Sequence, residues 1–316
     1  MRIHSSKLLV VLCAAAALCS CGRHRERVLE IDYVSAPQVT LRDQVAQVYN
    51  KVGSAKNGDR VEVLDRERRF AKVRTANGQE GWVEQRYLVS QKVFDAFQSM
   101  VRQEKDAPVV GTATTRNETN LHVEPGRDTE HLYQVGEGAK VSVLKRATVE
   151  KNLPGAAVQA PVSGMKIIKP MEDWWLVRDS QNHVGWVLGR MIDLDVPPDV
   201  AQYAEGQRIT GCYVLNEVAD GEKKVPQYLM LLTESKDGMP FDYNQIRVFT
   251  WNVKRHRYET AFRERNVNGA LPVTISHEDF GKEGDLPTFT LHTKDANGNV
   301  ADRKYKMNTP IVKRVS

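Results

Sequence analysis

The chain has 316 residues, of which 41% are hydrophobic and 27% are charged. This composition supports folded domains with buried cores and excludes a disordered or collagen-like protein. The formal net charge of +5 is too small to indicate a nucleic-acid partner. The mean hydropathy of -0.48 excludes a protein with several membrane spans. Four cysteines in this length exclude a fold built on disulfides.

The N-terminus has the pattern of an export signal. Arg2 and Lys7 precede an apolar run over residues 8–18, which is shorter than the roughly 20 residues of a membrane-spanning helix. The run ends at Leu18-Cys19-Ser20-Cys21, which resembles the lipobox of bacterial lipoproteins. We therefore predict a lipoprotein signal peptide over residues 1–20, with an ordinary cleaved signal or an uncleaved anchor as the alternatives.

The resemblance to a lipobox implies a lipid on Cys21, followed by a tether over residues 21–32. Acyl chains contribute about 0.8 kcal/mol per buried CH₂, and more than one chain gives stable anchoring. We expect a protein of the bacterial cell envelope that faces the periplasm and meets the membrane through this lipid. Gly22 stands where proteobacterial lipoproteins retained in the inner membrane commonly carry aspartate, which favours the outer membrane.

Two segments of the chain repeat one β pattern. Residues 73–83 and 177–187 share five of eleven positions without a gap, and both end in Gly-Trp-Val. Upstream, residues 58–64 match residues 138–144. Short alternating runs and a tight turn at Asn77-Gly78 predict hairpins. The repeat therefore predicts two small barrels or partly open sheets.

The repeated pattern resembles the bacterial SH3-like (SH3b) domain. The second copy opens on Asn120-Leu121-His122-Val123 and closes on Gly185-Trp186-Val187, whereas the first copy opens on Thr40-Leu41-Arg42. The resemblance places the two domains at residues 33–89 and 108–195. It implies modules that bind cell-wall peptide or protein segments and carry out no catalysis.

The segment at residues 90–107, between the two copies, is predicted to be a linker helix. Val93, Phe94, Phe97 and Val101 recur at the spacing of one helix face. We expect this face to pack between the two copies. The alternative is a surface on which a peptide docks.

The second copy contains an insertion over residues 146–173 that has no counterpart in the first copy. Loops of this length in compact domains are either functional or disordered. The apolar segment Met165-Lys166-Ile167-Ile168 adds a third interpretation, which is a small extra hairpin. The sequence leaves these three alternatives open.

The C-terminal segment, residues 206–316, is predicted to be an antiparallel β domain built as a sandwich or a barrel-like sheet. Turn signals at Asp237-Gly238, Asn268-Gly269 and Asn297-Gly298 separate the candidate strands. These strands are Ile209–Val214, Tyr228–Thr233, Ile246–Trp251, Tyr258–Phe262, Leu271–Ile275, Thr288–Leu291 and Arg303–Met307. The whole chain is therefore expected to be mainly β, with two small SH3-like barrels joined by a helix and followed by this domain.

The sequence lacks the usual motifs of zinc sites and serine hydrolases, since it has no Cys-x-x-Cys, His-Glu-x-x-His or Gly-x-Ser-x-Gly. With Cys21 lipidated, Cys212 is the single thiol after the signal peptide. Cys212 lies in a strand pattern, which favours a buried core residue over a nucleophile. We therefore predict no catalytic residue, no metal site, no cofactor and no enzymatic activity.

Exposed aromatic side chains are the candidate ligand-binding residues, and these are Trp174, Trp175, Trp186, Trp82 and Tyr133. Adjacent residues of a strand face opposite sides, so we expect at least one of Trp174 and Trp175 to be exposed. Pure core packing is the alternative role of Trp82 and Trp186.

These features together predict a lipid-anchored, non-enzymatic envelope protein that binds peptide or cell-wall material through its SH3b-like modules. Its partners would be the membrane, through the lipid, and either a peptidoglycan peptide or an envelope protein, with no nucleic acid. The alternative is a scaffold or accessory subunit of an envelope complex that has no affinity for the wall. A hydrolase that uses Cys212 is the third hypothesis.

Overall fold

The structure, a computed structural model, describes residues 27–151, 170–295 and 297–315. The predicted signal peptide, Cys21 and most of the insertion at residues 146–173 lie outside the described residues. The chain is mainly β and forms three antiparallel sheets, one of them a half-barrel, which confirms the expected fold class. Within the described ranges, no helix has the length and apolar character needed to cross a membrane.

The first sheet, here called the first unit, consists of seven antiparallel strands. These are β1 (Glu30–Val34), β2 (Gln38–Arg42), β3 (Lys51–Lys56), β4 (Arg60–Glu67), β5 (Phe70–Thr75), β6 (Glu80–Glu84) and β7 (Leu88–Ser90). They lie in the spatial order β3-β2-β6-β5-β4-β1-β7. Alternate residues of each strand face inward, and the buried core includes Leu41, Val61, Val63 and Val73.

The second sheet, here called the second unit, repeats this topology strand for strand. Its strands are β8 (Gly111–Thr115), β9 (Thr119–His122), β10 (His131–Val135), β11 (Lys140–Glu150), β12 (Met171–Arg178), β13 (Val184–Leu188) and β14 (Ile192–Leu194). Their order is β10-β9-β13-β12-β11-β8-β14. Val63 pairs with Val73, and Val143 pairs with Val177 at the same place, each before a register shift. The repeated sequence is therefore also a repeat of strand order and register.

A helix, α1 (Gln91–Gln103), packs between the two units as its apolar spacing predicts. The ring of Phe94 stacks on Tyr33 of the first unit, with 4.1 Å between centroids. Phe97 is fully buried and meets the edge of Tyr133 in the second unit at 5.2 Å. One face of the helix thus contributes to a core shared by both units.

The C-terminal sheet follows a short helix, α2 (Pro198–Ala201), and its seven strands lie in chain order. The strands are β15 (Arg208–Asp220), β16 (Lys223–Thr233), β17 (Tyr243–Asn252), β18 (Arg257–Asp279), β19 (Asp285–Lys294), β20 (Val300–Asn308) and β21 (Ile311–Arg314). Separate apolar clusters cover this sheet. One includes Leu229, Ile246 and Phe289, and the other includes Met230 and Phe249.

The predicted turn at Asn268-Gly269 is wrong, because one strand, β18, spans both predicted strands Tyr258–Phe262 and Leu271–Ile275. Gly269 pairs with Tyr243 on the neighbouring strand. A Cβ atom at Gly269 would lie 2.1 Å from the Tyr243 ring. The glycine is thus required by a close approach of a side chain and does not mark a turn.

A buried ion network joins the second unit to the C-terminal sheet. The guanidinium of Arg146 contacts Asp173 at 3.0 Å and donates from Nε to Asp242 at 2.9 Å. Arg208 reaches the second oxygen of Asp173 at 3.0 Å. The side chains of Arg146 and Asp173 are 7% and 3% exposed, so each charge is stabilised by the opposite charge rather than by water.

Candidate functional site

The first unit carries a cleft of about 300 Å³ beside strands β2 and β6. Two tyrosines line it, Tyr49 from the loop between β2 and β3 and Tyr87 from the turn before β7. The remaining lining residues come from strand β2, from the two residues before it and from strand β6, and are Ala36, Pro37, Gln38, Val39, Thr40, Arg42, Val83 and Glu84. The cleft therefore combines aromatic, aliphatic and charged groups.

The loop that presents Tyr49 is closed by one aspartate. Asp43 accepts the backbone N–H of Asn50 at 2.9 Å and its side-chain N–H at 2.8 Å. These hydrogen bonds favour the ionised carboxylate and lower the pKa of Asp43. The chain therefore returns to the sheet at a defined point, immediately after Tyr49.

Charged groups lie against the aromatic faces of the cleft. The Arg42 guanidinium lies 4.2 Å from the centroid of the Tyr49 ring and 5.2 Å from that of Phe70. Its Nη2 is 3.6 Å from Glu84, which also pairs with Arg86 at 2.9 Å. A ligand in the cleft would meet ring faces, one guanidinium and one carboxylate, a combination suited to an extended peptide.

The second unit places His122 where the first unit has Arg42, since these residues pair with Trp186 and Trp82, respectively. The ring of His122 meets the edge of Trp174 at 5.2 Å and lies 5.4 Å from His131. Burial and the nearby His131 lower the pKa of His122. A neutral imidazole thus replaces the guanidinium at this position of the repeat.

The structure corrects the expectation that Trp174 or Trp175 is exposed, since their exposed fractions are 2% and 6%. Strand β12 lies between β11 and β13, and both of its faces are covered. Trp175 packs in the core of the second unit, whereas Trp174 packs against His122. The Nε1 of Trp174 is buried and has no partner among the described residues.

The other three aromatic candidates are also buried or half-buried by neighbouring residues of the chain. Tyr133 is 7% exposed and stacks on His183 with 3.6 Å between ring centroids. Trp186 is half-buried and packs against the buried cluster of Leu144, Leu176 and Val184. Trp82 is half-buried in the first unit. A ligand-binding role for these residues stays a prediction.

No pattern in the sequence groups Tyr49, Tyr87, Arg42 and Glu84 as members of one site. The sequence gives one weak indication of Tyr87. The block Arg86-Tyr87-Leu88 aligns with Arg190-Met191-Ile192 in the second copy, so the position recurs in the repeat, but the tyrosine does not. Tyr49 lies in the loop between β2 and β3, and no periodic pattern marks it. These residues meet only because strands β2 and β6 are neighbours in the sheet.

Cys212 lies in strand β15, opposite Met230. Burial raises the pKa of its thiol to about 12, so the thiolate form is disfavoured. Within the part of the chain that the structure describes, no three His, Cys, Asp or Glu side chains are grouped closely enough to hold a metal ion. These observations show no activated nucleophile at Cys212.

Residues 38–89 match the model of the bacterial SH3 domain family. No curated protein matches the chain. Among solved structures, NlpC2 from Trichomonas vaginalis matches with 12% identity over 92% of this chain and 97% of that chain, with a TM-score of 0.18. A NlpC/P60 family protein from Bacillus cereus matches with 10% identity over 89% and 95%, with a TM-score of 0.24.

These matches correct the prediction that the chain is not an enzyme. The family named in them usually consists of enzymes, so the prediction was wrong and is withdrawn. At TM-scores of 0.18 and 0.24, the likeness carries no argument for a particular reaction. The bacterial SH3 domain at residues 38–89 is what the comparisons establish.

Proposed function

We propose that the first unit binds a peptide segment of cell-wall material in the cleft between Tyr49 and Tyr87. One observation carries this proposal: the cleft is built almost wholly from residues 38–89, the segment that matches the bacterial SH3 domain. Such domains commonly bind peptidoglycan or other peptides.

The chemistry of the cleft suits such a ligand. Tyrosine rings offer large, rigid contact surfaces that lose little conformational entropy on binding. Glu84 can pair with an amino group and Arg42 can pair with a carboxylate, and wall peptides carry both groups. Arg42 and Glu84 are 3.6 Å apart, so they present opposite charges side by side along the cleft.

We further propose that the second unit is a second SH3b domain whose aromatic residues mainly build its core. Its strand order matches that of the first unit, which supports this reading. Burial of Trp174 and Trp175 assigns them to packing. On this account, the second unit holds the first unit and the C-terminal sheet in place rather than providing the main ligand cleft.

We propose as well that residues 1–20 are a signal peptide and that Cys21 carries lipid, so that the protein faces the periplasm, attached to the outer membrane. The lipobox-like sequence supports this proposal. Mass spectrometry of the membrane-extracted protein should find acyl chains on an N-terminal Cys21. A Cys21→Ala chain recovered from membranes in the same amount as wild type would contradict lipid anchoring.

Sedimentation with purified peptidoglycan sacculi tests the wall proposal on the lipid-free chain, residues 22–316. We expect the chain to pellet with sacculi across a salt series, because aromatic contacts are screened little by salt. Tyr87→Ala should release it. Phe280→Ala, which removes a half-buried aromatic residue from the C-terminal sheet, should not. A chain that stays in the supernatant would overturn the proposal and support a scaffold without wall affinity.

A further inference from the structure

A second cleft, of about 390 Å³, opens in the C-terminal sheet. It lies where β17 and β18 leave regular pairing, with a register shift between Tyr243 and Gln245. Such irregularities re-aim side chains and are frequent beside functional sites. The lining residues, here called the arginine cleft, are Glu205, Gln207, Glu234, Asn244, Gln245, Arg263, Arg265 and Asn266.

Two guanidinium groups converge on one amide oxygen in the arginine cleft. Arg263 and Arg265 donate from Nε to Oε1 of Gln245, at 3.3 and 3.2 Å. Gln245 is 3% exposed, and its Nε2 donates to Gln207 at 2.9 Å. The second bond fixes which end of the amide faces the arginines, so both guanidinium groups are held in place before a ligand arrives.

The two arginines that line this cleft differ in their carboxylate partners. Glu205 accepts from Arg247 at 2.5 Å and from Arg263 at 3.3 Å. Its pKa is lowered, first by the hydrogen bond from Arg247. Among the described residues, no carboxylate lies within 4.0 Å of the Arg265 guanidinium. Glu205 thus pairs with Arg247 and Arg263, whereas Arg265, within the described part of the chain, has only a neutral partner, Gln245. The Arg265 guanidinium is therefore the group in the cleft that an anion can pair with.

Two further features mark the arginine cleft as a site. Glu205 and Asn266 have φ angles of +54° and +59°, in the left-handed region that side chains other than glycine rarely adopt. Strained backbone of this kind is concentrated at ligand sites. Asn244 Oδ1 is buried and, among the described residues, accepts no hydrogen bond.

We propose that the arginine cleft binds the carboxylate end of a peptide. A planar guanidinium matches a carboxylate through two parallel hydrogen bonds. Glu205 and Glu234 also line the cleft, and their charges favour a singly charged carboxylate over a doubly charged phosphate. The assignment is independent of the wall proposal for the first unit.

Saturation-transfer NMR on residues 22–316 tests this assignment with three probes: acetyl-alanyl-alanine, its C-terminal amide and inorganic phosphate. We expect the free acid to bind, the amide to bind at least tenfold more weakly, and phosphate not to compete. Arg265→Gln should weaken binding of the acid at least tenfold. Arg257→Gln, an exposed arginine of the same sheet outside the cleft, should leave it unchanged.

Three results would overturn the proposal. Equal binding of acid and amide would show that the carboxylate is not recognised. Phosphate that displaces the dipeptide would assign the cleft to phosphate groups. Loss of dipeptide binding in Tyr87→Ala, with full binding in Arg265→Gln, would place the dipeptide in the first unit. Since wall pelleting is measured separately, failure of one proposal is distinguishable from failure of the other.

Discussion

Asn57 of the first unit donates from Nδ2 to the carbonyl oxygen of Leu132 in the second unit, at 2.7 Å. The same amide group lies 3.0 Å from the carbonyl oxygen of Ser35. Its Oδ1 accepts the backbone N–H of Gln134 at 3.3 Å. One side chain thus satisfies backbone groups of both units, so the junction between them is a specific contact.

We predict that Asn57→Ala lowers the free energy of unfolding by about 1–3 kcal/mol, since several partly buried backbone groups lose their partner. Urea denaturation measures this difference. Asn117→Ala removes an exposed asparagine and should change the free energy of unfolding by less than about 0.5 kcal/mol. Equal effects of the two variants would show that the Asn57 contacts add nothing to stability.

Gly185→Ala should destabilise the second unit. A Cβ atom there would lie 2.6 Å from Leu121 Cβ and 3.2 Å from the Phe97 ring. Such overpacking typically costs about 1–3 kcal/mol. The matched control is Gly136→Ala, where no atom lies within 4 Å of the added carbon. Thermal unfolding of both variants should show a loss of stability only at Gly185, and a stable Gly185→Ala protein would contradict the close packing.

Arg146→Ala should destabilise the junction between the second unit and the C-terminal sheet by up to about 3–5 kcal/mol, because the buried Asp173 loses one of its two arginine partners and Asp242 loses its ion pair. The control is Arg116→Ala, whose pair with Asp193 is exposed, with side chains 54% and 58% accessible. An exposed pair of this kind contributes about 0–1 kcal/mol. Limited proteolysis should then cut Arg146→Ala near this junction before it cuts the control. Identical cleavage rates would contradict the account.

Glu172 should make stability depend on pH. Hydrogen bonds from Arg127 lower its pKa despite burial of the carboxylate. The ionised form is thus favoured in the folded state. This contribution is present above the usual glutamate pKa of about 4.3 and is lost as pH falls through the lower folded value.

Arg127→Gln should therefore reduce the free energy of unfolding near neutral pH and have little effect in strong acid. Urea denaturation of wild type and variant, once near neutral pH and once in strong acid, measures this difference in the free energy of unfolding. Arg102→Gln changes an exposed arginine that bonds to Ser99, so its effect should be the same at both pH values. An Arg127→Gln effect that is independent of pH would show that the Glu172 pair does not cause the shift.

Cys212 should be unreactive in the folded chain. Burial raises its pKa to about 12, and the thiolate is the reactive form. In residues 22–316 it is the single thiol, so Ellman's reagent reports on it alone. We expect slow labelling at mildly alkaline pH and rapid labelling after unfolding in urea. Rapid labelling of the folded chain would reveal an activated thiol and support a hydrolase that uses Cys212.

The repeat made much of the fold predictable from the sequence. Gly-Trp-Val and the alternating valines recur in both copies because each copy must bury the same strand faces, and the two sheets have the same strand order. The helix was predictable because Val93, Phe94 and Phe97 recur at helical spacing. Strand alternation and helical spacing are both patterns of neighbouring residues, and such patterns determine whether a segment forms a strand or a helix.

The remaining features depend on contacts between distant segments. Alternation along a strand assumes that one face meets water, whereas other parts of the second unit cover both Trp174 and Trp175. In the sequence, Asn268-Gly269 predicts a turn. In the structure, the glycine makes room for the ring of Tyr243 within a continuous strand. Tyr49 and Tyr87 lie far apart in the sequence, and the neighbouring positions of strands β2 and β6 bring them to one cleft. No pattern in the sequence contains these contacts.

Site-specific photo-crosslinking determines whether the first-unit cleft contacts the cell wall, as we propose. A benzophenone amino acid replaces Tyr49 in one chain and Phe280 in another, and each chain is irradiated with sacculi. The account predicts covalent attachment to wall material from position 49 and background levels from position 280. Equal yields from both positions, or attachment from position 280 alone, would contradict it.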